Sequence, residues 1–347
     1  MQKSTYLIGE IGQNHNGSME IATQIIDLAA LPVREMLFDL SLKGMDAVKL
    51  TKRDLSYELS ASEMKRPYIS KNSFGKTYGK HRQALELTDE EHHELFKYAK
   101  EKGLEFVETL CAPTCVSLLR FFEPDMLKVA SRDLTNPPLL EVLAETKIPI
   151  ILSTGMTGKF ELDEALKIIT RKHSNISILH CVSEYPTQPQ HVNLRTLDYL
   201  MENYGEYVIG YSDHTMGISV PVAAVAKGAA IIEKHITIDR NMKGTDQQGS
   251  LGEDGLRRMV RDIRLMEMSL GVEDLFIQPG IEDVKIKLER SLAAKRDLQK
   301  GELITENDLH LLSPGTGFKW HEKTKIIGKS LRQVVPRNEI ILPEHLD

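Results

Sequence analysis

Val208-Ile209-Gly210-Tyr211-Ser212-Asp213-His214 and Ala230-Ile231-Ile232-Glu233-Lys234-His235 are short apolar runs that each end on a histidine. Their length and their β-branched content predict two buried strands, and Ile218 to Lys227 between them reads as a helix. Two strands joined by a helix are normally parallel neighbours. His214 and His235 are then expected side by side at one end of a sheet. Two imidazoles there suit a divalent metal with coordination positions left open for a substrate. A lone histidine at such a place is more often a satisfied core residue; the matched pair is what points to chemistry.

The same unit repeats upstream. Tyr6 to Gly12, Asp46 to Leu50, Glu105 to Leu110, Met126 to Ser131, Pro149 to Met156 and Ser177 to Ser183 all read as strands, each followed by a helix-like stretch. Ser18 is placed to cap the first helix, and Pro32 predicts a break or an extra segment between Ala29 and Leu42. The polar stretch from Thr51 to about Leu87 is too long for an ordinary strand-to-helix loop and is expected to be functional. Thr88 caps a helix that ends at Gly103, and the last helix runs from about Asp254 to Leu270. Eight such units over roughly 270 residues predict a closed (β/α)8 TIM barrel. An open doubly wound sheet is the alternative, but no Gly-x-Gly-x-x-Gly turn follows the first strand. After Gly271 the pattern stops. The expected domains are a barrel over residues 1–272, a linker over 273–288, and a small β-rich domain over 289–347.

At 347 residues, 41% apolar and 27% charged, the composition is that of an ordinary globular protein. A net charge of −6 argues against general nucleic-acid binding. No apolar run approaches the ~18 residues of a membrane helix, and the N-terminus has no signal-peptide pattern. Cys111, Cys115 and Cys181 cannot form a disulfide framework, which predicts reduced thiols in a cytoplasmic protein.

Barrel active sites lie at the C-terminal ends of the strands. Those ends carry Glu10, Lys49, Thr109, Lys128, Ser131, Asp133, Ser153, Ser183, Tyr185, Ser212, His214 and His235. Two lysines and a ring of hydroxyls suit a small, strongly anionic ligand, a phosphate with a carboxylate. The carboxylates and Tyr185 suit a polyhydroxylated partner. Asp246, eleven residues past His235, can reach back over the same mouth. The polar stretch is also basic, with Lys71, Lys76, Lys80 and Arg82, and predicts a site for a phosphate on that partner. Two other classes fit these residues less well. A metal-dependent amidohydrolase carries His-x-His at its first strand, where this chain has Asn14-His15-Asn16. A non-catalytic barrel needs no lysines and carboxylates at nearly every strand end.

With these residues laid out, the chain resembles the sialic acid synthase family over nearly its whole length. The resemblance rests on Glu10-Ile11-Gly12-Gln13-Asn14-His15-Asn16-Gly17, on Leu152-Ser153-Thr154-Gly155-Met156 and on Tyr185-Pro186. It continues in Gly210-Tyr211-Ser212-Asp213-His214, Glu233-Lys234-His235-Ile236-Thr237 and Lys243-Gly244-Thr245-Asp246. The tail is similar to the family's antifreeze-like (SAF) domain. Arg66-Pro67-Tyr68 through Ser73-Phe74-Gly75-Lys76-Thr77-Tyr78-Gly79 is most similar to the branch that includes the animal synthases.

The resemblance implies condensation of phosphoenolpyruvate with N-acetylmannosamine or its 6-phosphate. The alternative is a related sugar, giving a KDN-, legionaminate- or pseudaminate-type product. It implies that His214 and His235 hold Mn²⁺, with Mg²⁺ or Co²⁺ as alternatives. Lys49, Thr109, Lys128, Ser131, Ser153, Ser183 and Ser212 would cradle phosphoenolpyruvate. Glu10, Asp133, Tyr185 and Asp246 would hold the open-chain sugar and handle protons. It further implies a homodimer in which the SAF domain of one chain covers the barrel mouth of the other. The sequence departs from family patterns at Thr51, where some members have Gln, at Ser183, where many bacterial members have Asn, at Ser313, where bacterial members have Arg, and in extra length around Leu31 to Leu40.

Overall fold

The computed structural model describes residues 4–347. Eight parallel strands close into a barrel: β1 (Tyr6–Glu10), β2 (Ala47–Lys52), β3 (Glu105–Leu110), β4 (Met126–Val129), β5 (Ile150–Ser153), β6 (Ile176–Cys181), β7 (Val208–Asp213) and β8 (Ile231–His235). Each strand pairs with its sequence neighbours, and β1 closes the ring against β8, with Tyr6 opposite Ile231 and Glu10 opposite His235. Glu10 is also opposite Lys49 of β2. Ile8, Ala47, Val107, Ile151, Leu179 and Ile231 fill the interior as one apolar layer beneath the polar strand ends.

The helices cover the outside through a large core that includes Ile25, Leu95, Leu139, Leu162 and Met259. Their ends follow local chemistry. Ser18 caps helix Met19–Ala30, and Thr88 with Glu91 forms a capping box on helix Asp89–Glu101. The break expected at Pro32 is a two-stranded hairpin, Val33–Glu35 with Leu40–Leu42. At the other end of the barrel, Arg264 of helix Glu253–Ser269 donates to Thr5 O at 2.8 Å and to Asp46 Oδ2 at 3.0 Å. It thereby holds the start of β1 and the approach to β2.

Strand pleating separates two sets of side chains at the ends of β7 and β8. Ser212 and Glu233 are register partners facing the central cavity. One residue on, Asp213 and Lys234 are partners that meet elsewhere. Lys234 Nζ lies 2.5 Å from Asp213 Oδ2 and 2.5 Å from Thr215 O, and both charged side chains are fully buried. Tyr211 donates its hydroxyl to the other carboxylate oxygen at 2.9 Å.

Compact units divide at Gly271/Val272. The second unit has its own core of Leu292, Ile304, Ile326, Leu331 and Ile341. It contains an antiparallel pair, β9 (Ser291–Ala294) and β10 (Leu309–Leu312), surrounded by single bridges. The stretch expected as linker is not wholly irregular, because Glu282–Leu288 is helical. Glu282 and Asp283 in its first turn and Lys285 and Lys287 in its last complement the helix dipole. Ser313 uses its hydroxyl locally, on Leu288 O at 2.9 Å. No helix among the described residues is long and apolar enough to cross a membrane.

Candidate active site

The strand ends and the loops beyond them enclose a cavity of about 470 Å³. Its floor is a charged cluster. Lys49 Nζ lies 2.5 Å from Glu10 Oε2, 3.9 Å from Glu233 Oε2 and 3.0 Å from Thr109 Oγ1. Lys128 Nζ lies 3.4 Å from Glu233 Oε1, which also accepts from Ser212 Oγ at 2.9 Å. Burial alone raises the pKa of Glu233. Lys128 and Lys49 outweigh it and hold the group at about 2, so this carboxylate is charged. Burial likewise opposes the Lys49 charge, and Glu10 and Glu233 prevail and raise its pKa.

Above the floor, Ser131 Oγ accepts from Gly155 N at 3.0 Å. A Cβ on Gly155 would stand 2.5 Å from Ser183 Oγ and 2.8 Å from Ser131 Oγ. The glycine lets these hydroxyls crowd together. Ser153 Oγ and Glu233 Oε2 are buried with no hydrogen-bond partner. Buried polar atoms are normally satisfied, and two orphans in a polar cavity mark a place shaped for a ligand.

His214 and His235 face each other on the cavity wall, ring centroids 5.5 Å apart. His214 Nδ1 lies 3.0 Å from Val182 O, an atom that only accepts, so Nδ1 carries the proton and Nε2 keeps its lone pair. Burial and then the neighbouring His235 lower the His214 pKa to about 3, which keeps the ring neutral. His235 Nδ1 is buried without a partner. The neutral His214 ring and the facing His235 ring at this spacing fit one shared divalent ion. No group of three His, Cys, Asp or Glu side chains able to hold a metal occurs among the described residues. The Tyr185 ring lies 4.1 Å from that of His214, tilted to it by 48°.

The structure brings Glu10, Lys49, Thr109, Lys128, Ser131, Ser153, Ser183, Tyr185, Ser212, His214, His235, Asp246 and Arg82 to the wall of this one cavity. It does not bring Asp133 there. Asp133 follows Ser131 in a short 3-10 turn and is buried behind Arg132, whose Nε lies 3.2 Å from its Oδ2. Lys71, Lys76 and Lys80 are also elsewhere, exposed on the outside. The polar stretch folds into short helices, Leu55–Glu58, Ala61–Lys65 and Tyr78–Gln83, and turns an aromatic inner face to the cavity. Tyr68, Tyr78 and His81 form that face. Lys80 and Arg82, two apart on one helix, point to different sides.

Some wall residues were not selected from the sequence. Glu233 has a legible signal, since it lies two residues before His235 and shares its strand face. Arg53 likewise continues the alternation of Lys49 and Thr51 beyond β2. Arg132, Cys111 and Cys181 had none; all three cysteines are free and buried. A further set fixes the loops. Asn14 Nδ2 donates to Ile236 O at 2.9 Å and Ser250 Oγ at 2.8 Å, and Gln247 Nε2 donates to Asn14 O at 3.0 Å. These bonds join the loop after β1 to the loop that carries Asp246.

Residues 40–274 match the model of the NeuB family, and residues 289–347 match the SAF domain. The chain belongs to the NeuB family. The N-acetylneuraminate-9-phosphate synthase of Homo sapiens is 33% identical, over 100% of this chain and 94% of the human protein. The N,N'-diacetyllegionaminic acid synthase of Campylobacter jejuni is 34% identical, over 98% of this chain and 99% of that protein. Among solved structures, the N-acetylneuraminic acid synthetase of Leptospira borgpetersenii, crystallised with citrate, superposes with a TM-score of 0.66 at 30% identity, covering 81% of this chain and 90% of that one. The barrel followed by a β-rich SAF domain is thus the architecture of a NeuB-family sialic acid or nonulosonate synthase.

Proposed function

We propose that this NeuB-family chain joins phosphoenolpyruvate to the open-chain aldehyde of an N-acylated mannosamine-type sugar, releasing phosphate. The observation that carries the reading is the floor of the cavity, where two buried lysines and an unpartnered serine hydroxyl share the wall with a pair of facing imidazoles. Lys49 and Lys128 balance the charge of phosphoenolpyruvate, and Thr109, Ser131, Ser153, Ser183 and Ser212 direct its oxygens. The C3 carbon of phosphoenolpyruvate attacks C1 of the aldehyde and the C–C bond forms. Water adds to the cationic C2, and C–O cleavage expels phosphate. A divalent ion on His214 and His235, Mn²⁺ or else Mg²⁺ or Co²⁺, supplies Lewis acidity at the aldehyde when bound. Glu10, beside Lys49, orients the sugar and shuttles the proton of its C1 oxygen. Asp246 and Tyr185 bind the sugar hydroxyls from the rim. Asp133 acts by positioning Arg132. A cytoplasmic homodimer, with the SAF domain of each chain over the mouth of the other, completes the reading.

The test is a free-phosphate assay with phosphoenolpyruvate, N-acetylmannosamine or its 6-phosphate, and Mn²⁺, with and without EDTA. Turnover that requires both substrates and stops with EDTA is expected; hydrolysis of phosphoenolpyruvate alone would sink the reading. In the metal-stripped protein, titrated Mn²⁺ is expected to lose its free-ion electron paramagnetic resonance signal. In His214→Ala and His235→Ala that signal should persist. Gly155→Ala should raise KM for phosphoenolpyruvate by about tenfold or more, because its methyl displaces the Ser131 and Ser183 hydroxyls. An unchanged KM would show that those hydroxyls do not hold the substrate.

A further inference from the structure

We propose that Glu233 is a catalytic residue that holds the water added at C2 of phosphoenolpyruvate. This rests on the synthase reading above. Glu233 stands between two levels of the barrel. Ile231, two residues before it, belongs to the apolar layer that seals the interior. His235, two residues after it, is one of the paired imidazoles. Alternate residues of a strand share a face, so Glu233 lies about 6–7 Å below the imidazoles and directly on the apolar layer. That is the level of Lys49, Lys128 and Ser212, all of which approach it. The sugar aldehyde belongs at the imidazoles above, and phosphoenolpyruvate belongs at the lysines. Glu233 therefore faces phosphoenolpyruvate.

Its two oxygens are treated differently. Oε1 accepts from Ser212 Oγ at 2.9 Å and from Lys128 Nζ at 3.4 Å. Oε2 is buried and accepts from nothing. The nearby Lys49 Nζ is 3.9 Å away, beyond hydrogen-bond reach, and is engaged by Glu10 and Thr109. A buried carboxylate oxygen normally has a donor. Phosphoenolpyruvate has none to give, because its phosphate and carboxylate oxygens only accept. The sugar hydroxyls lie at the level above. Water is the remaining protic reactant, and it is consumed at C2, the carbon that carries both anionic groups. A carboxylate in an anion cradle weakens ground-state binding of the anion, so its benefit must come later in the reaction. It comes when C2 turns cationic, since a fixed negative charge nearby stabilises that carbon while Oε2 orients the water. The water oxygen bonds to C2 and becomes the ketone oxygen when the C–O bond to phosphate breaks. One of its protons leaves with the phosphate, and the other reaches the C1 oxygen of the sugar through Glu10. Glu233 takes up no proton in the net reaction. Asp133 cannot replace it from behind Arg132.

The experiment measures sugar-dependent phosphate release in H2O and in D2O, for the full-length wild type, Glu233→Gln and Glu233→Asp. In Glu233→Gln the amide oxygen can keep the bonds of Oε1, and an N–H replaces the acceptor at Oε2. Its kcat should fall by about a hundredfold or more, the cost of misplacing a reactant. KM for phosphoenolpyruvate should not rise, because a negative charge has left the cradle. Calorimetric binding of phosphoenolpyruvate without sugar should be as tight as in the wild type or tighter. The solvent deuterium isotope effect on kcat should grow, because addition of water becomes limiting. A variant that is only partly folded loses kcat with that effect unchanged. Glu233→Asp keeps two acceptor oxygens and should recover about tenfold of the lost kcat. If Glu233→Gln fails to fold by circular dichroism, Glu233→Asp against the wild type decides, with smaller shifts in the same directions. An unchanged isotope effect overturns the proposal. A raised KM and weaker calorimetric binding with kcat preserved also overturn it, and place Glu233 in the cradle alone. If the wild type releases no phosphate with any sugar, the synthase reading has failed and the proposal falls with it; the wild-type assay by itself separates that outcome from the others.

Discussion

Lys234→Met is expected to destabilise the barrel by about 3–5 kcal/mol, because it leaves the buried Asp213 carboxyl without its cation. For a unit of this size that is a fall in Tm on the order of 10 °C. Lys234 also satisfies Thr215 O, so its removal orphans a second acceptor. Differential scanning calorimetry measures the loss, and a shift under about 2 °C would show that the pair is not a clasp. The double variant Asp213→Leu with Lys234→Met should recover much of the stability, since replacing both partners of a buried pair by apolar residues costs far less than removing one. The location gives the pair its importance. The next residues are His214 and His235, so the clasp sets the spacing of the two imidazoles from the opposite side of the strands.

Lys49→Met should lower kcat/KM by about 10³-fold or more. Lys49 sits between Glu10 and Glu233 and touches Thr109. Without it, two buried carboxylates face each other and the incoming anion with only Lys128 to balance them. The free-phosphate assay measures the loss, with far-UV circular dichroism to show that the variant is folded. Lys49→Met/Glu10→Gln, which removes the repulsion but not the missing cation, should fold better and remain inactive. A loss of less than about tenfold in the single variant would remove Lys49 from the anion cradle.

The barrel could be read from the sequence because its strands are short apolar runs whose polar residues come only at their ends. Lys49, Lys128, Ser153, Ser212 and the two histidines are conspicuous for that reason, and all reach one cavity. Glu233 is inconspicuous in the sequence because it lies inside an apolar run, where its charge is stable only beside Lys128 and Lys49 from distant strands. The basic stretch is hard to read for a different reason. Charge composition shows that cations are present but not which side they take, and the fold turns Lys71, Lys76 and Lys80 outward and Arg82 inward. Arg53 and Arg132 lie far apart in the chain and become neighbours of Arg82 only when β2 and β4 bring their loops together. Asp133 looked like a cavity carboxylate because it follows Ser131, and a single 3-10 turn was enough to rotate it behind Arg132.

The closure of β1 against β8, with Arg264 holding Thr5 and Asp46, has a consequence for how the protein is made. Tyr6 pairs with Ile231, and the start of β1 is anchored by a helix that follows the last strand. The first strand to leave the ribosome therefore lacks one of its two neighbours until nearly the whole barrel has been synthesised. Its unpaired edge is an open template for other strands during that interval. Assembly of this barrel depends on keeping β1 available, and a nascent chain that stops short of Ile231–His235 cannot close the ring.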